Sequence, residues 1–222
     1  MTCISYDDLQ SAASQRSLTL LGGFHPDKDE VGLEDCRTLL MVGPDERHFW
    51  PRFLRSDEYL DGRPDPVDRW SIRVVGDLAT IAGARALYPF GNAPYLPFYQ
   101  WALRTQNIHI SPVRLLVSHD HGLFVSFRGA LALPHRIDLP AAVPSPCISC
   151  ATKPCLAACP VDAMGDHEYS DDACRAHVRS SDGHGCLTQG CAVRRACPAS
   201  LNAGRRPAHS AYHMSEFLRT GP

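Results

Sequence analysis

CISCATKPCLAACP, residues 147–160, is the stretch on which the reading of this chain turns. It spells Cys147-x2-Cys150-x4-Cys155-x3-Cys159-Pro160. A bacterial ferredoxin run reads C-x2-C-x2-C-x3-C-P, and its fourth cysteine ligates the other cluster of a pair. Here the middle spacer is longer and contains Lys153 and Pro154, a loop that still wraps the corner of a cubane. The closing proline stops the loop and removes one backbone donor.

Downstream, Cys186-x4-Cys191-x5-Cys197-Pro198 repeats the Cys-Pro ending, with Cys174 between the two groups, so the region reads as a degenerate internal duplication. Crosswise pairing assigns Cys147, Cys150, Cys155 and Cys197 to one [4Fe–4S] cluster. Cys159, Cys174, Cys186 and Cys191 go to the other, and no cysteine of the region is left over. Zinc is the competing reading. Structural zinc sites of four cysteines present two closely spaced pairs, and only Cys147/Cys150 has that spacing. His167, His177 and His184 lie among the cysteines; with eight thiols available they read as surface or neighbouring residues rather than Rieske-type ligands.

Working outward, the rest of the chain is that of an ordinary globular protein. Of its 222 residues 44% are hydrophobic and 21% charged, enough for one ordinary domain plus a small one. The formal net charge of −2 predicts no general affinity for nucleic acid. The paired arginines Arg194–Arg195 and Arg205–Arg206 are the one local basic concentration, read as solvated surface or a docking patch. No apolar run approaches the about 18 residues of a membrane span. The first ten residues lack the basic and apolar regions of a signal peptide, so the expected location is the cytoplasm. A reducing compartment favours metal ligation over disulfides for the clustered cysteines; Cys3 and Cys36 stand apart and read as free thiols.

The region before the cysteines reads as mixed α and β. Residues 6–16 suit a helix and 17–24 a strand; Thr38 to Gly43 is an apolar run ended by Gly-Pro, as in a buried strand. Residues 45–54 look helical, with Phe49, Trp50, Phe53 and Leu54 on one face. Val67, Trp70, Val74, Leu78 and Ile81 recur at helical spacing and predict a core-facing stripe. A brief strand is expected at 87–90 and a helix at 95–106. The runs 113–118 and 123–133 predict a hairpin around Asp-His-Gly122. The proline-rich stretch 134–146 reads as a linker, which places the boundary between a domain of residues 1–140 and a cysteine module of 141–222. Glycine-rich phosphate loops and nucleophile motifs are missing from the sequence.

The segment from Ile110-Ser-Pro through Leu-Leu-Val-Ser-His-Asp-His-Gly122 to Phe-Arg128-Gly and an apolar strand resembles the CblC (MMACHC) cobalamin-processing family. The stretch Leu39 to Asp68, with Asp65-Pro-Val-Asp68, is similar to the same family. The C-terminal half of this domain, together with the cysteine module, also resembles epoxyqueuosine reductases and, more distantly, reductive dehalogenases. The resemblance covers roughly residues 38–200, and the crosswise ligand sets match those of these relatives. It implies an α+β architecture: a nitroreductase-like α/β domain that binds cobalamin, followed by a small ferredoxin-like module of two [4Fe–4S] clusters that pass single electrons to cobalt.

The resemblance carries Arg128 over as a cofactor-site residue, with a salt-bridged strand-end arginine as the plain alternative. Gly122 belongs to the same motif. Phe90, Tyr95, Phe98 and Trp101 are candidates to pack on a corrin face, although aromatics on a helix are more often core. Departures are clear. Ser118 stands where the CblC histidine would be, with His119 displaced by one. Asn92 stands where epoxyqueuosine reductases place a proton-donating carboxylate, and asparagine supplies no proton at neutral pH. The catalytic residue is therefore unassigned. The expectation is an iron–sulfur oxidoreductase that reduces cobalamin or removes its upper ligand, fed by a redox partner protein. A non-catalytic ferredoxin-type carrier that docks a partner enzyme is the alternative. FMN in place of the corrinoid ranks below both, because the domain shows no arginine cluster for its phosphate. A homodimer is plausible for a nitroreductase-like domain.

Overall fold

The computed structural model describes residues 4–27, 30, 32–164 and 169–219. In chain order its helices are α1 (Tyr6–Ser14), α2 (Phe49–Phe53), α3 (Asp57–Leu60), α4 (Pro66–Ala82), α5 (Phe98–Arg104), α6 (Asp171–Arg179), α7 (His184–Gln189), α8 (Ala192–Ala196) and α9 (Pro207–Arg219). The strands are β1 (Leu18–Phe24), β2 (Thr38–Pro44), β3 (Arg85–Leu87), β4 (His109–Ile110), β5 (Leu116–Val117) and β6 (Gly129–Leu133). Contacts divide the chain into two compact units: Met1–Ile108 with Ser126–Pro144, and His109–Val125 with Ser145–Pro222. The architecture is mixed α+β. Among the described residues no helix is long and apolar enough to cross a membrane.

The first unit is built on an antiparallel sheet ordered β1-β2-β6-β3. β2 and β6 are its central strands, and every residue of both is buried. A strand covered on both faces reads as a continuous apolar run rather than an alternating one. β1 joins β2 through a bulge between Leu20 and Gly23. Thr38 fixes the chain as it leaves β6: its hydroxyl donates to the His135 carbonyl at 3.0 Å and accepts the Ile137 N–H at 3.1 Å.

Helix α1 starts at a capping box in which the Ser5 hydroxyl accepts the Asp8 N–H at 3.1 Å and the Asp8 carboxylate accepts the Ser5 N–H at 3.0 Å. Helix α4 opens on Pro66 and closes on Gly83 in the left-handed region. Its buried face comprises Val67, Trp70, Ser71, Val74, Val75, Leu78, Ala79 and Ala82. Ile81, expected in this stripe, is 47% exposed; Ala82, one turn beyond Leu78, takes the core position instead. Buried Ser71 satisfies its hydroxyl on the Val67 carbonyl at 2.7 Å. Phe49 of α2 meets Trp70 edge-on at 5.0 Å and stacks on Phe53 at 5.5 Å, contacts worth about 0.5–1.5 kcal/mol each beyond burial.

Three expectations need correction. The expected strand at 87–90 is Arg85–Leu87, because Pro89 carries no N–H for a ladder. The helix expected from Tyr95 begins at Phe98, after Pro94 and Pro97. The hairpin of 113–118 with 123–133 does not form. Its turn is real, since Ser118 and Gly122 exchange backbone hydrogen bonds of 3.0 and 3.1 Å. However, β5 pairs with β4, and the run after the turn is divided: residues 123–125 belong to the second unit, while β6 belongs to the sheet of the first.

Candidate metal centre

The second unit carries all eight clustered cysteines together with residues 109–125. Each cysteine is placed by a short local element. Lys153 adopts a left-handed backbone (φ 40°), and Pro154 opens a 3-10 turn, Pro154–Ala157, that holds Cys155. The two extra residues of the first loop thus become the turn that buries this thiol. Cys174 projects from α6, whose N-terminus is capped by Ser170. Cys186 sits in α7. Cys191 precedes α8, and Cys197 follows it. Gly190, between Cys186 and Cys191, has φ +87°, and a Cβ there would stand 2.5 Å from the Ser210 Cβ of α9. Only glycine lets the chain turn at that point against α9.

The thiols sense one another in two groups. Burial pushes the Cys155 thiol up, and neighbouring Cys197, Cys147 and Cys150 push it further. Burial also raises Cys147; Cys197 and Cys150 add to this, while the Ser145 hydroxyl bonded to it acts the other way. Cys174 is raised first by burial, lowered by a hydrogen bond from Tyr169, and raised by Cys191, Cys159 and Cys186. Cys197, Cys147 and Cys150 thus neighbour Cys155, and Cys191, Cys159 and Cys186 neighbour Cys174. Each neighbourhood draws cysteines from both halves of the duplicated pattern. None of the described cysteines is in a disulfide. Among the described residues no three His, Cys, Asp or Glu side chains converge where a single metal ion could sit. Two sets of four thiols are the donor sets that two [4Fe–4S] clusters take, and a cubane spreads its ligands over four iron corners. His177 is half-buried on α6 and His184 is exposed; His167 and Cys3 lie outside the described residues.

An apolar wall lines the thiols. Cys155 and Cys197 share a buried cluster with Val113, Val117, Leu123 and Val193, and Cys147, Cys159 and Cys191 pack against it. Three of these wall residues come from residues 109–125, which reading by sequence order assigned to the other domain. Leu123 is clasped by the cysteine region at both backbone groups: its N–H donates to the Ser200 hydroxyl at 2.9 Å, and its carbonyl accepts from Arg194. Gly122 lies so close to Ser200 that a Cβ would stand 2.2 Å from the Ser200 nitrogen. Its glycine is thus accounted for by packing within this unit. The Arg205 guanidinium lies over the Phe124 ring at 5.3 Å.

The remaining candidates belong to the first unit. Trp101, proposed for a corrin face, is 1% exposed and donates its indole N–H to Glu30 at 3.3 Å. Arg104 pairs with the same carboxylate at 2.6 Å and lies 3.9 Å over the Phe24 ring. Trp101 is a core residue, as is Phe98, which packs on it at 5.2 Å. Phe90 is half-buried against Tyr88 at 5.4 Å. Tyr95 is 67% exposed. Arg128 is half-buried, and its N–H donates to the Val42 carbonyl at 2.8 Å. Burial lifts the thiol of Cys36 to about 11, so it stays protonated at neutral pH.

No family model, curated protein or solved structure matches the chain.

Proposed function

We propose that this chain is an iron–sulfur electron-transfer protein whose second unit holds two [4Fe–4S] clusters. Cys147, Cys150, Cys155 and Cys197 hold one, and Cys159, Cys174, Cys186 and Cys191 the other. What supports this reading is the cysteine spacing with its two Cys-Pro endings, together with the buried cluster that holds Cys155 and Cys197 and against which Cys147, Cys159 and Cys191 pack. When bound, such clusters supply one-electron transfer at potentials set by charge, hydrogen bonds to sulfur and exposure.

The chain's own contribution is to the environment. The thiols shed their protons on ligation, which the raised Cys147, Cys155 and Cys174 resist until metal binds. Val113, Val117, Leu123 and Val193 keep water from one side of the thiols, and the Ala163 N–H donates to Cys159 Sγ at 3.2 Å. Anaerobic reconstitution with iron and sulfide tests this reading. About eight irons per chain and two reducible signals in EPR are expected. Zinc binding without iron uptake would overturn it.

A corrinoid acceptor is the second reading, and one observation favours it: Tyr95 and Tyr99 expose aromatic surface in the first unit, at 67% and 42%. Trp101 and Gly122 are occupied by packing, so a corrin face would rest on Tyr95, Tyr99, Phe90 and Arg128. Titration of cluster-replete protein with hydroxocobalamin decides between the readings. Saturable binding near one per chain, lost in a Tyr95→Ala/Tyr99→Ala variant, supports the corrinoid. Cobalamin that stays free leaves a ferredoxin-type carrier for a partner protein.

A further inference from the structure

Charge is distributed unevenly around the thiols of the second unit. Residues 139–161 and 183–215 contain Lys153, Arg194, Arg195, Arg205 and Arg206, and neither aspartate nor glutamate. Residues 162–182, between them, hold six carboxylates against two arginines. The segment 109–125 adds one charge of each sign, Arg114 and Asp120. Among the described residues, the three most exposed large apolar side chains of this unit all lie on the basic segments. Ile148, directly after Cys147, is 80% exposed; Leu156, directly after Cys155, is 53% exposed; and Leu201, on the turn that follows Cys197, is 74% exposed. The turns that carry them are anchored on one core, because Cys155 and Cys197 belong to the same buried cluster and Cys147 packs against it. Lys153 and Arg206 are exposed. The stacking of Arg205 over Phe124 ties the second arginine pair to the neighbour of Leu123 in that core.

We propose that these basic segments and their exposed apolar side chains dock a small acidic one-electron carrier protein, bringing its redox group up to Cys147, Cys155 and Cys197. The inference rests on the cluster reading above. Charge complementarity selects the occupant: segments rich in cations and free of carboxylates attract a carrier with a negative surface and repel a basic one. Ile148, Leu156 and Leu201 then supply the apolar part of a small interface, of the size below about 1,200 Å² that redox encounters use. Exchange moves one electron between the carrier and the cluster beside it. One is oxidised as the other is reduced, and no bond or proton is transferred.

The experiment titrates cluster-replete protein with an acidic plant-type [2Fe–2S] ferredoxin, both oxidised, by calorimetry at about 20 mM and about 300 mM salt. Iron content is measured on every variant. Wild type is expected to bind, and to bind about tenfold more weakly at the higher salt. Lys153→Glu/Arg206→Glu is expected to lose about tenfold in affinity at low salt, and most of the salt dependence with it. Ile148→Ser/Leu201→Ser is expected to weaken binding at both salts, and both variants keep their iron. Arg55→Glu/Arg136→Glu changes net charge equally at exposed arginines of the first unit and is expected to bind as wild type does. Equal loss in the two charge reversals, binding insensitive to salt, or no binding by iron-replete wild type overturns the docking surface and leaves the cluster reading intact. Wild-type protein that takes up no iron overturns both.

Discussion

Replacing Leu123 by alanine probes the least expected feature of the second unit, the use of residues 109–125 as a wall for the cysteines. The Leu123 side chain is fully buried beside Cys155 and Cys197. The hydrogen bonds from its N–H to Ser200 and to its carbonyl from Arg194 are made by the backbone and survive the change. The substitution therefore isolates the apolar contribution. Leu→Ala in a closed core costs about 2–5 kcal/mol, and at about 3 kcal/mol the folding constant of the unit falls by about 10²-fold. For a unit of this size each kcal/mol lowers Tm by about 4–8 °C, so a drop of roughly 12–24 °C is expected. Loss of iron to a chelator at 25 °C, where it proceeds through opening of this unit, accelerates by up to about 10²-fold. Leu131→Ala is the matched control, because Leu131 is equally buried but belongs to the sheet of the first unit. It is expected to destabilise that sheet and leave the chelation rate near wild type. Equal chelation rates in the Leu123 variant and wild type, or equal acceleration by both variants, would refute the placement of residues 109–125 in the cysteine core.

Cysteine-to-serine variants sort by neighbourhood rather than by sequence order: Cys155→Ser and Cys197→Ser are expected to disturb one EPR signal, and Cys159→Ser and Cys174→Ser the other. Gly122→Ala sets a methyl group against the Ser200 backbone at φ +52°, and a fall of about 1–3 kcal/mol, read as a lower urea midpoint for the second unit, is expected. In the first unit, the Arg73 guanidinium bonded to Glu58 holds that carboxyl below its ordinary range. A depressed carboxyl contributes stability above its unfolded pKa and loses it as pH falls through the folded value. Denaturant midpoints measured from pH 6 downward should therefore show a steeper loss below about pH 4.5 for wild type than for Glu58→Gln; Arg73 is half exposed, which keeps the difference small.

The parts of the fold that were legible in the sequence are those held by short-range rules. Helix α4 follows from an apolar stripe between a proline and a glycine, and β2 from an unbroken apolar run before Gly-Pro. The crosswise assignment of the cysteines is read from their spacing and from the resemblance. The partition of residues 110–133 was hidden for a physical reason. Val113, Val117 and Leu123 face the cysteines while Gly129–Leu133 forms a strand buried on both faces, and both environments select the same apolar residue types. The burial of Trp101 was equally opaque, because only Glu30, far away in sequence, shows why an indole N–H sits in a core.

The path of the chain has a consequence for how this protein is inherited and made. Neither unit is a contiguous stretch, for the first is interrupted by residues 109–125 and the second begins with them. During synthesis the sheet of the first unit has all its strands once residue 133 has emerged, whereas Val113, Val117 and Leu123 must wait for Val193 and Cys197, some 70 to 80 residues later, before their core can close. A gene fragment starting at residue 145 would encode every clustered cysteine and still lack Val113, Val117 and Leu123, three of the four wall residues behind them. Recombination could therefore not transplant this cysteine-rich unit as a simple C-terminal cassette; residues 109–125 would have to travel with it.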